Sequence, residues 1–184
     1  MTKTNLALAM LVAATLAGRA AQADAEPVRA RLAARRAQEL DRLHAYAARG
    51  EFPRNLTSAT PIHLFQDQDG RLCAVANLVH RDGLDALVAS AAKSRNDVVL
   101  AEVTSGPLYS WALSSGLTLE ELARIQAPAP YFVRSPVGPP PMVAQLRAHF
   151  AAVEKELRAN NDVSLDKAVA RLDAAMAPKQ LAQR

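Results

Sequence analysis

Six prolines fall within the 15 residues from Ala127 to Pro141. Proline fixes φ and lacks a backbone N–H, so neither a helix interior nor a central strand runs through such a stretch. A chain of 184 residues interrupted in this way must be built in parts. The expected division is a leader at 1–23, a module at 24–126, a Pro-rich connector at 127–141, a C-terminal helical pair at 142–177 and a tail at 178–184. Half the residues are apolar and the formal net charge is only +4, which excludes disorder for the bulk of the chain. The single cysteine excludes an internal disulfide framework.

Lys3 precedes an uncharged apolar run from Leu6 to Leu16, and small residues follow as Ala21-Gln22-Ala23 or Ala23-Asp24-Ala25. A bilayer core takes about 20 apolar residues, so the run reads as a secretory signal peptide cleaved near residues 23–25. Arg19 follows Gly18 where a lipoprotein would carry cysteine, so no lipid anchor is expected. The expected address is the periplasm or the exterior.

Between Pro27 and Arg54 stand seven arginines (29, 31, 35, 36, 42, 49, 54) against Glu39, Asp41 and Glu51, whereas from Asn55 onward 13 basic residues balance 13 acidic ones. This Arg-rich helix suits contact with an anionic membrane surface, or forms a solvated face broken by its acidic residues. Nucleic acid is not expected as a partner, because eight aromatics in the chain offer no stacking platform.

Helical spacing of Val28, Leu32, Leu40, Leu43 and Ala47 predicts one long helix from Asp24 to Arg49, with Gly50 as its stop. Ile62–Gln66 and Arg71–Val75 flank Asp67-Gln68-Asp69-Gly70, which suits a type I turn with Gly70 left-handed in a G1 bulge. Residues 73–79 read equally as helix. Asp82 is the expected N-cap of a helix to about Lys93, and Val98–Val103 reads as a short strand. Pro107 opens a short helix that Gly116 ends, and Thr118 with Glu121 forms a capping box for a helix to Gln126. Met142, Val143, Leu146, Phe150, Val153 and Leu157 define one C-terminal amphipathic helix, and Ser164 is the expected cap of a second. The fold class expected is therefore α+β and mostly helical: a small β-hairpin or short sheet packed by helices, with the C-terminal pair.

Tyr46–Asn55, Phe65–Leu78, Asn96 and Gly116–Pro128 together resemble a family of exported bacterial proteins with no assigned activity. The shared pattern is a Phe-Pro-x-Asn segment, a Phe-x-Asp-x-x-Gly-x-x-Cys-Ala-Val segment and a Gly-Leu-Thr helix ending in Ile-Gln-Pro. Here Ala127 intervenes before the proline, and Ala76-Asn77 replace an expected Gly-Tyr. The resemblance covers roughly Arg36 to Pro130 and implies an exported module built around the cysteine, with no reaction.

Cys73 admits three readings: a small buried hydrophobe, a bridge to another chain, or a nucleophile. As nucleophile it needs a base. If Asp67 pairs with Arg71, Phe65 lies opposite Cys73 and His63 falls on the same face; a four-residue loop sends His63 to the other face. If Cys73 instead begins a helix, the N-terminal dipole favours its thiolate. Asp67, Asp69 and Gly70 imitate part of an EF-hand loop, but Phe65 and Ala76 hold its first and last ligand positions. His44, His63, His80 and His149 show no ligand spacing, so no metal or cofactor is expected. Gly116–Ala123 is a helix-turn-helix look-alike that lacks a recognition helix. Tyr109 and Trp111 read as core packing or as a ligand-stacking patch. The leading expectation is an exported, non-enzymatic binding or structural module with an unknown protein or envelope partner. Its rivals are a thiol-dependent hydrolase or transferase using Cys73 and His63, and an assembly module acting through Cys73 or the C-terminal helices.

Overall fold

The computed structural model describes the backbone of residues 3–56, 62–127 and 140–177, with side chains from residue 26 onward in the first segment and from 142 in the last. Its elements are α1 (Lys3–Arg49), α2 (Ala74–Arg81), α3 (Asp85–Arg95), a 3-10 turn (Leu100–Glu102), α4 (Gly106–Ser114), α5 (Leu119–Gln126), α6 (Pro140–Ala159) and α7 (Asn161–Met176).

Helix α1 is the mast against which α2, α6 and α7 pack. Its buried stripe, Leu32, Leu40, Leu43 and Tyr46, follows the helical period. Gly50 ends it at φ +71°. Arg147 of α6 donates to the last carbonyls, Ala47 O at 3.3 Å and Ala48 O at 3.1 Å, where a cation complements the helix dipole. Helix α6 returns along α1 and buries Leu146, Phe150, Val153 and Leu157. Phe150 meets Tyr46 and Phe52, with ring centroids 5.4 Å apart in both pairs. A second, smaller core joins Leu32 of α1 to Leu165 and Ala168 of α7.

The expected α+β class is wrong: the described residues are almost wholly helical, and no strand or sheet stands among them. The turn has the expected register, since Asp67 N donates to Arg71 O at 2.9 Å and Cys73 N to Phe65 O at 3.0 Å. Gly70 is left-handed, at φ +80°. Pairing then stops at an isolated antiparallel bridge, Gln66–Leu72. It stops because Cys73 becomes the N-cap of α2, its Sγ accepting the Ala76 N–H at 3.4 Å. An alanine-rich run gains more as a helix than as an unpartnered strand.

Two side-chain amides take the place of further strands. Asn96 accepts from Gln66 N at 2.9 Å and donates to Gln66 O at 2.8 Å. Gln126 accepts from Leu100 N at 2.9 Å and donates to Val98 O at 2.6 Å. With its polar groups satisfied by Gln126, the segment expected as a strand at 98–103 closes instead into the 3-10 turn.

Two expected caps are also corrected. Asp82 closes the C-terminus of α2 rather than opening α3, whose N-cap is Leu84 with no side-chain bond. Ser164 lies inside α7, which starts after Asn160; its hydroxyl donates to Glu121 Oε1 at 2.7 Å. The Thr118–Glu121 capping box forms as read. Of the proline-rich stretch, residues 128–139 lie outside the described residues, as do the leader's side chains.

Candidate functional site

Cys73 and His63 line one cavity of about 30 Å³, together with Tyr46, Phe52, Leu146 and Phe150. Phe65 lies opposite Cys73 in the pairing, as the G1-bulge register requires. No hydrogen bond joins the two candidate side chains. His63 Nδ1 is buried without a partner among the described residues, and burial lowers the imidazole's pKa. Burial pushes the Cys73 thiol up to about 11, and the N–H groups of Ala76 and Val75 offset only part of that. Desolvation thus outweighs the helix N-terminus that was expected to favour the thiolate. The sulfur is thus held neutral near pH 7 beside space for a water or two, against about 300–1,000 Å³ for substrate pockets. Native protein at pH 7.5 is therefore expected to resist iodoacetamide, with rapid alkylation of Cys73 once guanidinium unfolds the chain; a native rate equal to the unfolded one contradicts this.

The arginines of α1 are mostly consumed inside the fold. Arg36, fully buried, donates to both oxygens of Glu121 at 2.7 Å, to Leu157 O at 2.6 Å and to Gly116 O at 3.3 Å. Burial opposes the charge on Glu121, but the bonds from Arg36, Thr118 N and Ser164 prevail and hold its carboxyl below the usual range. Arg35 and Arg42 clamp Asp82, to which Trp111 Nε1 also donates at 2.7 Å. Arg29 pairs with Asp162 and Asp166, Arg49 donates to Asn77, and Arg54 pairs with Asp69. Of the seven, only Arg31 has no partner among the described residues. The spacing of Arg35, Glu39 and Arg42 is the one local signal of this pairing in the sequence; the other partners are distant.

Glu39 is fully buried between Arg35 and Arg42, yet burial and the nearby Asp82 raise its pKa from 4.5 to about 7. Between those values the folded state holds a proton that the unfolded chain has lost, so stability falls as pH rises through the window. The penalty above pH 7 is on the order of 3 kcal/mol. Asp82 acts oppositely. Burial resists its charge, but Arg35, Arg42 and Trp111 hold its pKa below 3.8, so its contribution is lost only in stronger acid. Urea unfolding of Glu39→Gln is expected to show higher stability at pH 8 and to lose the parent's fall in stability between pH 5 and 8; an unchanged slope contradicts the assignment.

A groove of about 1,030 Å³ opens between α1, the start of α3, α4 and the end of α7. Leu84, Leu87, Pro107, Trp111, Leu172 and Met176 form its apolar walls, and Arg31 and Arg35 stand at its edge. Leu84 is 40% and Met176 73% exposed, and both line this one groove. A shallower trough of about 800 Å³ along the outer face of α1 shares Arg31 and Arg35 and adds Arg42 and Arg81. Sequence reading placed Trp111 in packing or a ligand patch; it is 4% exposed and also lines this wall. The groove itself went unread, because its walls come from four separate elements.

The remaining candidates resolve simply. Asp67 uses one oxygen for the N–H groups of Asp69 and Arg71 and the other for Arg54 N, which is turn chemistry. His44 meets Glu154, His80 meets Asp85 and His149 meets Arg124 O. No group of three metal-ligating side chains occurs among the described residues. No family model, curated protein or solved structure matches the chain.

Proposed function

We propose that this chain is an exported, non-enzymatic binding module whose contact surface is the groove between α1, α3, α4 and α7. Export rests on the leader-like sequence at 1–23. The observation that carries the binding assignment is the groove itself, where Leu84 and Met176 stay exposed together with Leu87, Pro107 and Leu172 in one concave lining. Cys73 supports the same reading, being an N-cap and a core residue rather than an accessible thiol. A bridge between two copies needs the sulfur at the surface, and it is buried. The Arg-rich helix offers little to a broad anionic surface, because all of its described guanidinium groups but that of Arg31 already have partners.

The neutral dye Nile red, which fluoresces in apolar surroundings, tests the assignment without presuming a ligand. Saturable binding at one site per chain is expected. Absence of saturable binding overturns the groove as a binding surface.

A further inference from the structure

The charges around the groove narrow the class of ligand. Arg31 is exposed and unpartnered among the described residues, and it lines both the groove and the adjoining trough. Arg81, exposed in that trough, likewise has no side-chain partner there; only its carbonyl is used, by Arg42. The acidic group lining the groove, Asp82, is saturated by Arg35, Arg42 and Trp111 and presents no spare negative charge. Arg31, a free cation at the groove's edge, and the apolar residues leading away from it match one anionic head on one apolar tail.

Resting on the binding reading above, we propose that the groove takes a monomeric single-chain anionic amphiphile. The tail lies along Leu84, Leu87, Leu172 and Met176, and the acidic head meets Arg31. Guanidinium groups suit carboxylate and phosphate heads alike, because their forked donors match either geometry.

Trp111 is the only tryptophan and stands in the groove wall, so its emission reports occupancy. The full chain is titrated with laurate, dodecanol and dodecyltrimethylammonium, each below its micellar concentration, and with phosphatidylglycerol vesicles. Laurate is expected to bind at one site at least tenfold more tightly than the other two single-chain probes. Arg31→Glu should weaken laurate about tenfold and strengthen the ammonium probe, and Arg31→Lys should restore most of the laurate affinity. Equal binding of all three, indifferent to Arg31→Glu, overturns head recognition while Nile red binding keeps the groove reading intact. Binding to vesicles without binding to laurate overturns the monomer assignment. Failure of the amphiphiles and of Nile red together overturns both.

Discussion

Gly116→Ala is expected to lower the melting temperature by about 10 °C, from a loss on the order of 4 kcal/mol. Gly116 joins α4 to α5 at φ +75°, a region that a Cβ makes costly. A Cβ there would stand 2.2 Å from Leu32 O and 2.9 Å from Arg36 Cβ and N. Backbone cannot yield as a flexible side chain can, so α1 would have to move off α5. Gly83 provides the control. It too is left-handed, at φ +76°, but nothing lies within 4 Å of its missing Cβ. Gly83→Ala is expected to show the conformational cost alone, about 1–2 kcal/mol. Equal losses at the two sites in thermal melts contradict the close approach of α1 to the turn between α4 and α5.

Arg36→Met is expected to destabilise the fold by about 3–5 kcal/mol, because it strands the buried Glu121 carboxylate without its main partner. Glu121→Leu should cost as much by stranding the guanidinium, which also holds Leu157 O and Gly116 O. The double variant should lose less than the sum by about 2 kcal/mol, since no unpaired charge then remains. The pair ties α1 to α5 directly and reaches α7 through Ser164. Additive losses in urea unfolding contradict a coupled network.

How much of this architecture was legible depended on how local its cause was. The capping box of α5, the stop at Gly50, the left-handed Gly70 and the apolar stripe of α6 are set by neighbours within one or two turns, and each formed as read. The strand expected at 98–103 failed for a non-local reason. Gln126, 26 residues from Leu100, supplies the bonds that a neighbouring strand would have supplied. Asn96 does the same for Gln66 across 30 residues. Nothing in the periodicity of either segment marks an amide as a substitute strand.

The candidate site divides along the same line. The turn register that sets Phe65 against Cys73 is local and is one of the two that the sequence left open; the burial that keeps the thiol neutral involves Tyr46, Phe52 and Phe150 on other parts of the chain. The basic stretch at 27–54 was counted correctly and its use was hidden, since Asp82, Glu121, Asp162 and Asp166 meet it only after folding. The residues of the Phe-Pro, Phe-x-Asp and Gly-Leu-Thr segments are mostly architectural. Phe52 and Phe65 are buried, Gly116 admits α1, and Asn96 and Gln126 clamp backbone.

The proposed ligand contact belongs to the groove, whereas Cys73 belongs to the core. Nile red titration of two variants side by side tests it most directly. Leu84→Glu puts a charge on the exposed apolar wall and is expected to abolish saturable binding with circular dichroism unchanged. Cys73→Ala is expected to bind the dye as the parent chain does, with only a modest loss of stability. Retained binding in Leu84→Glu together with lost binding in folded Cys73→Ala would place the site at the thiol cavity and contradict the account.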